Sequence, residues 1–173
     1  MIDFQKDFLA SDGKMPVARD QVAGVLSATR AAIDQARADG ALIVMIGNEF
    51  PPGDRIGNLL RHHAAIAGSA GAAWDERAAP GPADAVYLPK WKGSAFCNRE
   101  LGELLAREGV DQVTLCGLYA RACVTATARE AQSRGLSVTV LRDAVACRSN
   151  GSRAAALSRL ARRGVELRVV LSA

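Results

Sequence analysis

The segment QVTLCGLYARACVTATA, residues 112–128, decides the fold class of this chain. Its first part, Gln112 to Cys116, is a short apolar and β-branched run that predicts a buried strand, and a turn at Gly117 follows it. A helix is predicted from about Arg121 to Arg134, and a second strand from Leu136 to Leu141. Strand, helix and strand of these lengths predict a parallel pair with the helix packed on one face of the sheet.

The same alternation continues on both sides of this segment. Further helices are predicted at 17–38, 56–66, 98–109 and 152–163, and further strands at 41–46, 85–88 and 165–171. The run at 41–46, ALIVMI, lacks polar residues, as is typical of a strand covered on both faces. We therefore predict one α/β domain over residues 1–173, with three layers and a mainly parallel sheet. Residues 68–83, rich in Gly, Ala and Pro, are predicted to be irregular, as a flap rather than a linker.

The composition fits a globular protein, with 49% hydrophobic and 23% charged residues. The net charge of +4 comes from scattered arginines, and the absence of a basic block with aromatics argues against nucleic-acid binding. No apolar run approaches the ~20 residues that cross a bilayer, and no signal peptide is recognisable. The four cysteines form no CxxC pair, so we expect a reduced, cytoplasmic protein.

Three reactive side chains follow predicted strands, at the sheet edge where ligands bind in such folds. Asp3 lies near the start, Lys90 closes the strand that begins at residue 85, and Cys123 lies in the first turn of a predicted helix. We expect the helix N-terminus and the lysine to lower the pKa of the Cys123 thiol. A carboxylate can move the thiol proton, and free backbone N–H groups can hold an oxyanion.

Each of these residues has an ordinary structural explanation when it is taken alone. An isolated cysteine such as Cys123 is more often a small buried apolar residue, as we expect Cys116 to be. Lys90 alone would be a surface lysine, and Asp3 a terminal charge or a turn residue. Their coincidence at strand ends is what favours a catalytic site.

Three blocks of the sequence resemble the isochorismatase-like cysteine hydrolases. The first is IDFQKDF at 2–8, the second is KWKGSAF at 90–96, and the third is GLYARACVTATA at 117–128, followed by VLRDA at 140–144. Their order and spacing agree with the family from residue 2 to the end of the chain. One block would be suggestive, and three in order are a strong signal.

The resemblance implies a six-stranded sheet in the order 3-2-1-4-5-6, with the site between strands one and four. It implies Asp3 as general acid and base, Cys123 as nucleophile and Lys90 as the cation that lowers the thiol pKa, without a cofactor. It also implies a cis peptide at Leu118–Tyr119 and an oxyanion hole made by the backbone N–H groups of Tyr119 and Cys123.

Residues next to these motifs are candidates for binding a small-molecule substrate, namely Phe8, Trp91, Tyr119 and Arg121. Arg121 can pair with a substrate carboxylate in bidentate fashion, or it can lie at a subunit interface, and both readings stay open. Members of the family often form dimers or tetramers, so we expect a homo-oligomer.

Two features depart from the family pattern. Metal-using nicotinamidases carry Asp-x-His after the second strand, where this chain has NEF at 48–50. His62 and His63 are adjacent in a predicted helix and so point about 100° apart, which argues against a metal site. Family members also have a full apolar strand before the catalytic Asp, whereas Met1 and Ile2 alone precede Asp3 here. We therefore expect the native protein to begin upstream of Met1.

A thiol at position 123 favours acyl transfer, with an amide, carbamoyl or ureide substrate and a covalent thioester. A vinyl-ether hydrolase acting on an isochorismate-like acid is the nearest alternative, because that reaction needs acid chemistry more than a thiol. A non-catalytic binding or assembly module on the same fold is a further alternative. A flavodoxin-like nucleotide-binding domain is disfavoured, since the chain has no Gly-x-Gly-x-x-Gly after a strand.

Overall fold

The computed structural model describes residues 1–81 and 85–170. The strands are β1 (Ile43–Asn48), β2 (Ala85–Lys90), β3 (Gln112–Leu118), β4 (Ser137–Ala146) and β5 (Glu166–Arg168). The helices are α1 (Lys6–Leu9), α2 (Arg19–Ala38), α3 (Arg55–Leu60), α4 (Arg99–Arg107), α5 (Thr125–Ser133) and α6 (Asn150–Ala161). Among these helices, none combines the length and the apolar character that crossing a membrane requires.

The strands pair in parallel as β2 with β1, β3 with β4, and β4 with β5. Ile2 joins the two groups, because it forms parallel bridges to Ile46 and to Gly117. Its N–H donates to the Cys116 carbonyl and its own carbonyl accepts from the Leu118 N–H, each at 2.9 Å. The described residues thus contain five strands and a one-residue bridge at the position where the resemblance implies the first of six strands.

A groove of about 710 Å³ lies beside Ile2, between the outer parts of β1 and β3. Val44 and Thr114 line it, among other residues. Val44 and Thr114 lie two residues before Ile46 and Cys116 in their strands. Since the backbone groups of Ile46 and Cys116 face the central bridge, those of Val44 and Thr114 are directed to the same side. The expectation of residues upstream of Met1 stays a prediction.

Side chains of successive strand residues enter two separate cores, one on each face of the sheet. Val140 and Leu141 are consecutive in β4, and they belong to opposite cores. The core of Val140 contains apolar residues of α4, α5 and α6, whereas the core of Leu141 contains Val25 and Leu26 of α2. Helices therefore cover both faces, and the predicted three-layer α/β class is confirmed.

Helix α3 is shorter than the pattern at 56–66 predicts. It ends at Leu60, and His62 and His63 adopt left-handed backbone conformations with φ of 52° and 57°. The backbone beyond them has other partners, since the Ala65 N–H donates to the Asp7 carboxylate at 2.8 Å. The predicted placement of the two histidines in a helix was wrong, because the backbone after Leu60 leaves the helical conformation and bonds groups outside the helix, such as the Asp7 carboxylate.

The irregular segment at 68–83 contains two short 3₁₀ turns, Ala70–Ala72 and Glu76–Ala78. The N-terminal residues hold it, since the Lys6 N–H donates to the Ala73 carbonyl at 3.0 Å and the Asp75 N–H to the Phe4 carbonyl at 2.8 Å. Its irregular character is confirmed as far as residue 81, and residues 82 and 83 lie outside the described residues.

Gly117 allows the central bridge to approach β3, and replacing it should separate them. A Cβ at this position would lie 2.2 Å from the Ile2 carbonyl oxygen, and its φ is +143°. We expect Gly117→Ala to lower the free energy of unfolding by ~3 kcal/mol or more. Gly109→Ala is the matched control, because its φ is +64° with nothing within 4 Å, and ~1–2 kcal/mol is expected there. Equal losses in urea unfolding of the two variants would contradict this role for Gly117.

Candidate active site

The three reactive side chains meet at the edge of the sheet. Lys90 Nζ lies 3.0 Å from Asp3 Oδ2 and 3.3 Å from Cys123 Sγ. Asp3 follows the Ile2 bridge directly, Lys90 is the last residue of β2, and Cys123 lies in the turn after β3. The lysine and aspartate side chains are 0% and 1% exposed, so each charge is compensated by the other rather than by hydration.

Asp3 turns the chain away from the sheet immediately after the bridge. Its φ is +60°, a left-handed conformation that short polar residues tolerate better than others do. Its N–H donates to the Ile46 carbonyl at 2.7 Å, and its carbonyl accepts from the Gln5 N–H at 2.8 Å. These bonds fix the backbone that carries the Asp3 carboxylate.

The Lys90 ammonium is surrounded by acceptors. It donates to Asn48 Oδ1 at 2.5 Å, to the Lys92 carbonyl at 3.2 Å and to Cys123 Sγ at 3.3 Å, besides its ion pair with Asp3. Burial alone would lower the pKa of Lys90, but its interactions with Asp3 and with Cys123 outweigh burial and raise that pKa. The lysine therefore stays a cation.

Cys123 lies in a π-helical turn, Ala120–Val124, and the α-helix begins only at Thr125. Cys123 therefore lies in the first turn of a helix, as predicted, and that turn is π-helical. The Thr125 hydroxyl donates to the Ala120 carbonyl at 2.6 Å, which supports the wider turn. The turn presents the half-buried thiol to Lys90.

The protonation of the site differs from the sequence-based expectation. Burial and the Asp3 charge raise the pKa of the Cys123 thiol to about 12, although Lys90 lowers it as expected. A carboxyl group is a far stronger acid than a thiol, so the one negative charge that Lys90 balances resides on Asp3. The free site thus holds an ammonium, a carboxylate and a neutral thiol.

Asp3 is placed to accept the thiol proton. Burial raises the pKa of Asp3 in spite of the opposing effects of Lys90, Cys123 and Asn48. A raised carboxyl pKa makes a stronger base, and it brings the proton affinity of the carboxylate closer to that of the thiol. The arrangement can therefore generate a thiolate when sulfur attacks a substrate.

The residues expected to form the oxyanion hole belong to the same turn. The peptide bond between Leu118 and Tyr119 is cis, as the resemblance implies. The Tyr119 carbonyl accepts from the N–H groups of Ala122 and Val124, which closes the turn that contains Cys123. The oxyanion role of the Tyr119 and Cys123 N–H groups stays a prediction.

The expected substrate-binding residues differ in exposure. Trp91 is 45% exposed and Arg121 is exposed, so both side chains are accessible to a ligand. Phe8 is buried, and its ring meets the Tyr119 ring edge-on at 5.7 Å between centroids. The Tyr119 hydroxyl in turn donates to the Met15 carbonyl. Phe8 therefore packs against Tyr119, and a ligand-binding role for all four residues stays a prediction.

Two buried amides contribute to the site without having been predicted. Asn48 accepts from Lys90, and Gln5 bonds the backbone of Asn48 in both directions, at 2.7 and 2.8 Å. Two features of the sequence point to these amides: Gln5 belongs to the first motif, and Asn48 is a polar residue that follows a wholly apolar strand. The comparison with metal-using nicotinamidases marks Asn48 only as a position without a metal ligand.

The residues after β1 do not fit the metal site of the metal-using nicotinamidases. Phe50 offers no donor atom, and its ring packs under the Arg61 guanidinium at 3.9 Å. Asn48 is engaged with Lys90, and both His62 and His63 are exposed on the turn after α3. Across residues 1–81 and 85–170, no group of three His, Cys, Asp or Glu side chains could hold a metal ion. No catalytic step is assigned to a metal.

Comparisons with known proteins agree with this geometry. Residues 1–170 match the isochorismatase domain family. Streptothricin hydrolase of Streptomyces noursei is 33% identical over 146 residues, 83% of this chain and 52% of that protein. Maleamate amidohydrolase of Pseudomonas putida is 31% identical over 156 residues, 84% of this chain and 70% of that protein. The structure of an isochorismatase-like hydrolase from Alkaliphilus metalliredigens has a TM-score of 0.90 at 22% identity, covering 98% of this chain and 92% of that chain. The chain thus spans about half the length of its streptothricin hydrolase relative.

Replacing Asp3 by Asn should make Cys123 more reactive toward iodoacetamide. With the carboxylate charge removed, Lys90 is left to balance a thiolate, so the thiol pKa falls. We expect at least tenfold faster alkylation of Cys123 at pH 8, measured by peptide mass spectrometry. Cys97, a half-buried cysteine outside the triad, is the control within the same sample. Unchanged or slower alkylation would mean that Asp3 does not hold the negative charge of the site.

Proposed function

The chain belongs to the isochorismatase family, and we propose that it hydrolyses the C–N bond of a small amide, carbamoyl or ureide compound. The observation that carries this proposal is the position of the Cys123 thiol, 3.3 Å from Lys90 Nζ beside the buried Asp3 carboxylate. A nucleophile, a base and a cation in contact are the groups that acyl transfer to cysteine requires.

In the first step, the Cys123 sulfur attacks the carbonyl carbon of the substrate while the thiol proton moves to Asp3. The carbonyl oxygen takes up the negative charge, which the N–H groups of Tyr119 and Cys123 would stabilise. Asp3 then gives the proton to the leaving nitrogen, the C–N bond breaks, and ammonia or an amine departs. A thioester remains on Cys123.

In the second step, water attacks the thioester carbon while Asp3 accepts one of its protons. The C–S bond breaks, the acid product leaves, and the proton on Asp3 returns to sulfur. Lys90 stays an ammonium throughout, so each negative charge that forms beside it is compensated. The site returns to its starting protonation after each turnover.

The relatives support this choice of bond. Maleamate amidohydrolase acts, by its name, on an amide, and streptothricin hydrolase is named as a hydrolase. A reaction that uses acid alone, such as vinyl-ether hydrolysis, gives no role to the contact between the thiol and Lys90. The exposed Trp91 and Arg121 fit the rim of a pocket for a small polar substrate.

Loss of the thiol should abolish the proposed reaction. We expect the wild-type chain to release ammonia or an amine from at least one of maleamate, a carbamoyl amino acid and a ureide. Cys123→Ala should lower that rate at least 10³-fold, because no thioester can form. Cys97→Ala, which removes a thiol outside the triad, should retain wild-type turnover.

Mass spectrometry of the quenched reaction should also detect the acyl group on the peptide that contains Cys123. Substantial activity of Cys123→Ala on any of these compounds would contradict the thioester mechanism. Turnover of an isochorismate-like vinyl ether by Cys123→Ala, with no release from the amides, would favour the alternative reaction.

We further propose that the protein is cytoplasmic and that it forms a homo-oligomer, as the sequence led us to expect. Sedimentation equilibrium of the full chain measures the second property directly. A mass of twice or four times the chain mass of 18.2 kDa is expected, and a monomer at micromolar concentration would contradict it.

A further inference from the structure

We propose that Asn48 is a positioning residue for Cys123 chemistry: its neutral amide holds Lys90 in place beside Asp3 without adding a second negative charge next to the thiol. The proposal rests on the proposed function, because it concerns the same nucleophile. It assigns a role to a residue at the end of β1 that contacts the triad.

The Asn48 amide contacts the cation of the site. The side chain is 3% exposed, and its Oδ1 accepts from Lys90 Nζ at 2.5 Å. The Asp3 carboxylate lies 3.0 Å from the same Nζ, and Asn48 lowers the pKa of Asp3, although burial raises it overall. One ammonium is thus shared by a neutral amide oxygen and one carboxylate.

The backbone of Asn48 is fixed as firmly as its side chain. Gln5 Nε2 donates to the Asn48 carbonyl at 2.7 Å, and Gln5 Oε1 accepts from the Asn48 N–H at 2.8 Å. The same Nε2 also donates to the Ala72 carbonyl at 2.6 Å. Asn48 pairs in register with Lys90 across β1 and β2, so the two side chains leave the sheet at the same level. The buried amide therefore has little freedom to rotate.

Neutrality is the property that an isosteric acid would lose. An aspartate at position 48 could also accept from Lys90, but two carboxylates would then share one buried ammonium. Like charges so close oppose the formation of a thiolate at Cys123. The neighbouring Glu49 is directed elsewhere, since its carboxylate accepts from the Tyr87 hydroxyl at 2.9 Å. The titratable groups near this amide include Lys90 from β2, Asp3 from the N-terminal segment, Cys123 from the turn after β3 and the Tyr87 hydroxyl beside Gly47.

The test compares Asn48→Asp with Asn98→Asp. Asn98 is also buried, and its Nδ2 donates to the carbonyl of Pro89, next to Lys90, so the same change removes one donor without touching the triad. The rate of Cys123 alkylation by iodoacetamide is measured from pH 7 to pH 10. We expect Asn48→Asp to be at least tenfold slower than wild type throughout, and Asn98→Asp to be within twofold of wild type. A purely structural Asn48 would lower thermal stability in both variants and leave this pH profile unchanged.

A second variant keeps the proposal testable if Asn48→Asp does not fold. Asn48→Ser offers one short hydroxyl, which cannot reach Lys90 as the amide oxygen does, and alkylation at least threefold slower is expected. Wild-type rates in whichever variant folds would overturn the role of Asn48. The two proposals fail separately: Asn48→Asp at the wild-type rate refutes this one, whereas an active Cys123→Ala refutes the thioester mechanism.

Discussion

The buried ion pair between Lys90 and Asp3 is the interaction on which the site depends. Nζ and Oδ2 are 3.0 Å apart, and the two side chains are 0% and 1% exposed. Removing two such ions from water costs several kcal/mol each, and only their mutual attraction and further hydrogen bonds offset that cost. Loss of one partner leaves the other charge uncompensated, which destabilises a protein by ~3–5 kcal/mol. The pair therefore requires accurate placement of both backbones, and much of the surrounding structure supplies it.

That placement comes from segments distant in the chain. Gly117 admits the Ile2 backbone to the edge of β3, and Asp3 follows with a left-handed turn. Gln5 then bonds Asn48, whose amide meets the ammonium. Each contact constrains the next, so the site is a property of the central sheet rather than of a loop. Such support is what a preorganised catalytic group needs.

The sequence predicted the fold class because alternating periodicity is local. Val140 and Leu141 enter opposite cores, as neighbours in a doubly covered strand must. The positions of Lys90 and Cys123 at the sheet edge were also predictable, since each follows a recognisable strand, whereas Asp3 was identified by its motif. The π-helical form of the turn at Cys123 and the end of α3 were not predictable, because they depend on the Thr125 hydroxyl and on the Asp7 carboxylate. The sequence also does not reveal how deeply a thiol is buried or which charges lie near it. The predicted downward shift of the Cys123 pKa was therefore wrong, although Lys90 does lower that pKa as expected.

The central claim is that the free site holds a neutral thiol next to an ionised Asp3. The most direct measurement is the S–H stretching band of Cys123, taken as the infrared difference between wild type and Cys123→Ser. We expect the band to be present at pH 7 and to persist at pH 10, because burial and Asp3 together raise the thiol pKa to about 12. A band that is absent at pH 7 would show a preformed thiolate and would contradict the assignment of the negative charge to Asp3.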